Sequence, residues 1–365
     1  MKILVVAHDD PERKTTWSGV PSRVVQELRR QGHCVIGSGY EPVWWIAPIR
    51  IFYNRIVRKM VPGWGWRMFA CTLLGIGLNS LWLRGVCRRE RPDLVVALTF
   101  GLDAKIVGCP IVLIHDWTNG YLRAIFQERQ VNAVERKFDE TIFRVMRRAK
   151  KVVSLYPLSA RYIANAVGNK VAFICNPVNV EGEVDFEASV EEGVKSKHIL
   201  VVGGSTYQAN VETVIQAADR LKDREIVVDV VGRESAMTKA AFCQVNFYGY
   251  LNQDRPNERA LYDRLFREAR CFVNVRRGWC GGSSIAEALF RGVPAIVSRQ
   301  AEIQTLYPHA IVCEPENPEA LAHVLTRLMT IISPDEYRAI CREANAGVKD
   351  DTYANFIRAI LDGEA

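Results

Sequence analysis

The strand-like run Cys271–Val275 leads into Arg276-Arg277-Gly278-Trp279-Cys280-Gly281-Gly282-Ser283-Ser284-Ile285-Ala286-Glu287-Ala288-Leu289. These residue types suit phosphate chemistry. Gly281 and Gly282 let the backbone come close to a ligand. Ser283 or Ser284 can cap the helix that follows, which leaves amide N–H groups pointing into the loop. Such a helix start attracts an anion through its amides and its dipole. Glu287, three or four residues into that helix, cannot favour phosphate, but it can accept hydrogen bonds from ribose hydroxyls. Arg276 and Arg277 either supply cations to the loop or form a solvated pair at its mouth. Taken alone, the segment also reads as a tight turn with a capped helix.

A second candidate is His115, which ends the apolar run Pro110–Ile114 beside Asp116. In α/β sheets that carboxyl edge is where ligands bind. His8 and Asp9 end the first strand on the same edge, where they line a cleft or cap a loop. His33, His198, His309 and His323 read as surface or helix-end residues. No G-x-S-x-G elbow is present, which excludes a Ser-His-Asp hydrolase of that type. No G-x-G-x-x-G opens either half, which excludes a dinucleotide site. The ten cysteines are scattered singly without a C-x-x-C pair. They indicate neither a zinc framework nor a dithiol redox centre, and read as small core residues in a reducing cytoplasm.

The elements that must hold these residues alternate strand and helix. With 365 residues and 48% hydrophobic content, the chain predicts two globular domains. Met1–Ala7 is a buried strand, too short for a signal-peptide core. A helix through Val24, Val25 and Leu28 and a strand from Cys34 complete a β-loop-α-β unit. Asp93–Leu98, Pro110–Ile114, Val152–Ser154 and Val171–Ile174 read as further strands, with a charged helix over about 124–150. Residues 181–197 are acidic and weakly patterned, and predict a linker. Alternation resumes at His198–Gly204. Helices are expected near 209–222, 257–269, 283 onward, 317–329 and from Asp335. Strands are expected at Ile226–Val231, Val245–Tyr248, Cys271–Val275, Ala295–Val297 and Ala310–Cys313. The boundaries are therefore 1–180, linker 181–197, 198–345, and a terminal helix over 346–365 that crosses back to the first domain.

Charge is uneven. The net charge is +7; residues 1–180 hold 27 Lys+Arg and 13 Asp+Glu (+14), which leaves 21 and 28 (−7) for the rest. A basic first domain suggests an anionic partner there, and membrane lipid, a phosphorylated acceptor and nucleic acid all qualify. Five of the eight tryptophans fall within 42–91, interleaved with arginines. The apolar stretch Met68–Leu83 is short of a bilayer span. The segment predicts either two core helices with basic outer faces or a helix resting in a membrane interface.

The run Ser283–Ser298 (SSIAEALFRGVPAIVS) resembles the donor-binding signature of retaining glycosyltransferase family 4, glycosyl transferases group 1. The resemblance extends in order over nearly the whole chain. It includes the opening strand and Gly19 loop, VLIHDW at Val112–Trp117, the Asn-Pro turn near 176, ILVVGG at 199–204, and VNFYGYL at 245–251. It implies an α/β fold of two doubly wound Rossmann-like domains facing across a cleft (GT-B). It also implies transfer of a sugar, with retention and without metal, from a nucleotide-diphosphate sugar to a hydroxyl of a glycan or lipid-linked acceptor. UDP-sugar is favoured over GDP-sugar, no further cofactor is needed, and no nucleic acid is involved.

The resemblance also assigns roles to residues. Glu287 bonds the ribose. Amides of Gly282, Ser283 and Ser284 hold the diphosphate, with Gly281 and Ile285 in the same set. The Gly204 turn joins them, and Arg276 and Arg277 are counted there too. Backbone around Tyr248, Gly249, Tyr250 and Leu251 flanks the base. Gly19 lets the N-terminal loop approach the diphosphate, and His115 touches the transferred sugar. Two departures stand out. Trp279 occupies the position of the family's earlier glutamate, and residues 204–210 lack its Arg/Lys pair, for which Arg276, Arg277 and Arg233 are the candidate substitutes. A nucleotide-sugar epimerase, a soluble natural-product glycosyltransferase and a catalytically degenerate scaffold share the architecture. The expected location is cytoplasmic or peripheral on the inner face of the cell membrane, in polysaccharide biosynthesis.

Overall fold

A computed structural model describes residues 1–14, 16–39, 46–57, 59, 66–98, 101–126, 130–168, 171–175, 178, 180, 184–223, 225–278, 282–349, 357–358 and 360–361. Expectations for Trp44, Trp45, Trp64, Trp279, Cys280 and Gly281 lie outside the described residues. The chain divides into two compact units, Met1–Cys175 with Tyr353–Ala365, and Asn176–Thr352.

In unit 1 the strands are β1 (Lys2–Ala7), β2 (Cys34–Gly39), β3 (Leu94–Leu98), β4 (Ile111–His115), β5 (Lys151–Ser154) and β6 (Val171–Phe173). The helices are α1 (Val20–Arg30), α2 (Ile46–Val57), α3 (Leu73–Glu90), α4 (Ala104–Val107), α5 (Asn119–Tyr121), α6 (Ala133–Arg148) and α7 (Pro157–Val167). All strands are parallel, in the order β2-β1-β3-β4-β5-β6. The continuous apolar runs of β1, β3 and β4 arise because both faces of a parallel sheet are covered by crossover helices. Leu4, Val6, Val95, Leu113 and Val152 line one core with Leu83, Ile142 and Met146.

Unit 2 opens with α8 (Phe186–Lys195), inside the expected linker 181–197. Its sequence pattern is weak because few of its residues face inward. Asp185 caps it by accepting from the Ala188 N–H at 3.0 Å, and Val190 is buried in the unit 2 core. The Arg270 guanidinium donates to the carbonyls of Gly193, Val194 and Leu328 and lies 3.8 Å over the Tyr337 ring. This stretch is therefore part of the second fold rather than a spacer.

The strands that follow are β7 (His198–Val202), β8 (Val227–Val231), β9 (Gln244–Phe247), β10 (Ala269–Asn274), β11 (Ala295–Ser298) and β12 (Ile311–Cys313). They alternate with α9 (Gln208–Arg220), α10 (Pro256–Glu268), α11 (Gly282–Phe290), α12 (Ala301–Leu306), α13 (Pro318–Thr326) and α14 (Pro334–Lys349). The parallel order is β12-β11-β10-β7-β8-β9. Each unit is thus a doubly wound Rossmann-like sheet, and the predicted strands all form, shifted by a residue or so at their ends. The helix expected over 124–150 is shorter, because Asn132 starts α6 with a capping box to Glu135. The crossing segment expected from 346 starts later, since α14 continues to Lys349 in unit 2.

Candidate functional site

Chain order in unit 2 reverses between β7 and β10. Everything after β7 builds one side through β8 and β9, then the chain returns to place β10 against β7. In such sheets the crevice outside the carboxyl ends at the reversal is the ligand position. Two loops emerge there, Gly203-Gly204 from β7 and Val275-Arg276 from β10.

Backbone packing holds the first loop. Gly232, with φ 97, packs on Gly203 so tightly that a Cβ on Gly232 would fall 2.7 Å from the Gly203 carbonyl oxygen. A Cβ on Gly203 would meet the Tyr207 ring at 2.4 Å, whereas one on Gly204 would meet nothing within 4 Å. The second loop is pinned by Asn210, whose carboxamide donates to Val273 O at 3.3 Å and accepts from Val275 N–H at 2.7 Å. The Arg276 guanidinium lies 5.0 Å from the Tyr207 ring centroid, so the two loops meet through a cation–π contact. Gln300 donates to the carbonyls of Arg276 and Gly278. The expected arginine pair is thus split. Arg276 is half-buried over Tyr207. Arg277 points outward, its amide donating to Glu316 at 2.9 Å and its guanidinium 3.9 Å from the same carboxylate.

The loop delivers the chain to α11, which begins at Gly282. Ser283 and Ser284 therefore lie in the first helical turn rather than at the cap. The Tyr307 hydroxyl donates to the Gly282 carbonyl at 2.8 Å and anchors the helix start. The N–H groups of Gly282, Ser283 and Ser284 lie in the first turn of α11, the part of a helix whose amides and dipole favour an anion. Ile285 is a core side chain.

Glu287 is the sixth residue of α11 and only 3% exposed. The Tyr262 hydroxyl donates to its Oε2 at 2.7 Å. Burial pushes the carboxyl up to about 7, against the opposing pull of Arg291, the Tyr262 bond and Arg259. Arg291 and Arg259 are themselves fixed by Asp263, with Arg259 3.1 Å from its Oδ2. None of Tyr262, Arg259, Asp263 and Arg291 was singled out from sequence, because they lie 24 to 28 residues upstream or one turn downstream of Glu287. The one available signal was the apolar stripe Tyr262, Leu265 and Phe266 that puts α10 against the sheet.

Past β8 and β9, Gly232 N–H donates to Gly249 O and Gly249 N–H to Arg233 O, joining the exits of the two strands. The Tyr248 hydroxyl turns back to Asp229 Oδ1 at 2.9 Å. Tyr250 is exposed and free to meet a planar ring.

In unit 1 the reversal lies between β1 and β3. Trp17 (φ 42) and Gly19 (φ 80) form the left-handed turn that starts α1 after β1. The Trp17 side chain hydrogen-bonds the carboxyl of Asp116, just past β4. That carboxyl is buried and pushed up to about 7, and among the described residues its Oδ1 has no partner. His115 is 1% exposed, and burial pulls its imidazole down to about 4, so it is neutral at physiological pH. The turn that follows is held by Asp139, which accepts from Gly120 N–H at 2.9 Å and the Thr118 hydroxyl at 3.2 Å. Among the described residues no group of three or more His, Cys, Asp or Glu is placed to hold a metal ion.

Residues 196–330 match the family described as glycosyl transferases group 1. Curated protein sequences give no match. Among solved structures the chain is similar to sucrose-phosphate synthase of Thermosynechococcus elongatus, at 13% identity and TM-score 0.65, covering 99% of this chain and 96% of that one. It is also similar to the α,α-trehalose-phosphate synthase (UDP-forming) of Burkholderia vietnamiensis, at 14% identity and TM-score 0.66, with 99% of both chains covered. A third is Anabaena HepE in complex with UDP-glucose, at 12% identity and TM-score 0.61, covering 99% and 98%. The two doubly wound units thus share the GT-B fold of these structures, and the group 1 match lies within unit 2.

Proposed function

We propose that the protein moves a sugar from UDP-sugar to a hydroxyl of a glycan or lipid-linked acceptor, with retention and without a metal ion. The observation that carries this reading is the α11 N-terminus at the sheet reversal of unit 2, inside the group 1 segment, with Glu287 buried one turn behind it. The diphosphate would sit on the amides of Gly282, Ser283 and Ser284, with Arg276 as its cation. The ribose would bond Glu287, and the base would lie along Gly249 and Tyr250. UDP is favoured because HepE and the UDP-forming synthase carry that nucleotide in their descriptions.

Charge development on the departing diphosphate is met by dipoles that are already in place, which is the efficient form of electrostatic catalysis. The leaving phosphate oxygen takes the acceptor proton. Neutral His115 serves as a hydrogen-bonding partner for the transferred sugar rather than as a cation. A cytoplasmic location, with peripheral contact to the inner face of the cell membrane, fits a lipid-linked acceptor.

Trp279 and the absence of Lys or Arg from 204–210 favour a second reading, a catalytically degenerate scaffold of this fold that binds a partner. Thermal-shift measurements with UDP, GDP, dTDP and CDP test the first step, since a ligand of the native state raises its midpoint. A rise with UDP that is lost in Glu287→Ala supports donor binding. Release of UDP from UDP-sugar with acceptor extracts separates transferase from scaffold. No rise with any nucleotide removes the transferase reading and favours the scaffold.

A further inference from the structure

Among the described residues, sixteen large apolar side chains are exposed, and seven of them lie on α2 and α3: Ile49, Ile51, Phe52, Ile56, Leu73, Leu74 and Leu81. Those two helices hold 30 of the chain's 365 residues, so the concentration is far above an even scatter. Single exposed apolar residues need no explanation, but a cluster marks an interaction surface.

Helix α2 shows how the cluster is built. Ile46, Asn54 and Val57 face inward, and Tyr53 packs edge-on against Phe69 at 5.5 Å. At 100° per residue, Ile51, Arg55, Phe52, Ile56 and Ile49 then follow one another around the opposite arc. Ile51 is 64% and Phe52 69% exposed. The helix is amphipathic in the reverse sense to α1, with its greasiest arc turned to solvent. At 12 residues it is about 18 Å long, and no described helix is long and apolar enough to cross a membrane.

Charge narrows the choice of partner. Residues 46–91 contain nine Lys and Arg against one acid, Glu90. Among the described residues, the side chains of Arg55, Lys59, Arg84 and Arg88 make no ion pair or hydrogen bond. Elsewhere on the surface arginines are commonly paired, as in Arg338 with Glu191 and Arg29 with Glu12. Unpaired cations beside exposed Ile and Phe match the boundary between anionic headgroups and acyl chains, where an amphipathic helix lies in the plane. A second copy of this face would set like charges against each other.

We propose that the outward face of α2 docks unit 1 on an anionic lipid surface, with Ile51 and Phe52 inserted and Arg55 and Lys59 on the headgroups. The docking deepens the lipid-linked side of the acceptor reading, but it stands or falls separately from donor binding.

The test is co-sedimentation of the full chain with phosphatidylcholine vesicles, with and without about one-third phosphatidylglycerol. The expected result is partition into anionic vesicles at least tenfold above neutral ones, weakened by 0.5 M NaCl. Ile51→Ser/Phe52→Ser and Arg55→Glu/Lys59→Glu should each lower the partition about tenfold or more, with the UDP thermal shift unchanged. Because these side chains are exposed, the variants should fold. The proposal is overturned by no partition into anionic vesicles, or by partition that the variants leave intact. It is also overturned if sedimentation shows a lipid-free dimer that the variants dissolve, which would make a second copy the occupant. Partition without any nucleotide shift would keep the docking and remove the donor reading.

Discussion

The Tyr262 hydroxyl and the Glu287 carboxylate form a 2.7 Å hydrogen bond in which neither residue is more than 5% exposed. A carboxyl enclosed this way has two opposite responses to pH. Its folded pKa, about 7, lies above the ordinary 4.5. The stability it contributes is therefore present below 4.5 and lost as pH rises through 7. Ribose hydroxyls, in contrast, are best accepted by the ionised form. UDP affinity should then increase as pH rises through about 7. Tyr262→Phe removes a group that lowers the pKa, so the midpoint of that increase should move up and affinity at pH 7 should fall about three- to tenfold. Titration calorimetry from pH 6 to 8.5 reads both; a flat profile in the wild type would show that ionisation of Glu287 does not govern binding.

Unit 1 holds a pair with opposed signs. Asp116 is raised from 3.8 to about 7, so its stabilisation fades as pH rises. His115 is lowered from 6.5 to about 4, so its stabilisation is complete above 6.5 and fades as pH falls through 4. Between pH 4 and 6.5 the two slopes partly cancel. Asp116→Asn should unmask the histidine and make unit 1 more acid-labile over that window, by on the order of 1–3 kcal/mol. Denaturant melts followed by tryptophan fluorescence would show the steeper dependence; an unchanged curve would mean that His115 does not titrate as described.

Adjacent glycines should respond differently. Gly203→Ala forces a Cβ into the Tyr207 ring and should cost about 1–3 kcal/mol, shifting the melt of unit 2. Gly204→Ala enters open space and should stay within about 0.5 kcal/mol. If the β7 exit lines the donor pocket, the second variant should still lose UDP affinity. Equal stability losses would contradict the packing described.

The two arginines of the loop should separate in the same way. Arg276→Ala should weaken UDP about tenfold, equivalent to about 1.4 kcal/mol. Arg277→Ala, which removes an exposed pair with Glu316, should change it less than twofold. A stronger effect at Arg277 would reverse their assigned roles.

How much of this could be read from the residues depended on where the signal was stored. The strands were legible because both faces of a parallel sheet are buried, so β1 (KILVVA) and β3 (LVVAL) print as unbroken apolar runs. The glycine turn before Glu287 was legible because a helix N-terminus at a strand exit needs particular residue types in sequence. Helix α8 was not, since its attachment runs through Arg270 and Tyr337, some 75 and 140 residues away. Tyr262 and Trp17 were missed for the same reason: their partners, Glu287 and Asp116, are 25 and 99 positions off. The outward turn of α2's apolar arc was also hidden. Periodicity reports that a helix has two faces but not which one meets solvent.

The composition of unit 1 has a consequence for synthesis. Ile357 and Ile360 are buried and group with unit 1, although 177 residues of unit 2 separate them from Cys175. A ribosome adds roughly 5–20 residues per second, so the first unit spends on the order of ten seconds or more without its last piece. Unit 2 is contiguous and can close as it emerges. The half made first is therefore finished last, and throughout that interval the half-built unit depends on whatever shields its unfilled core.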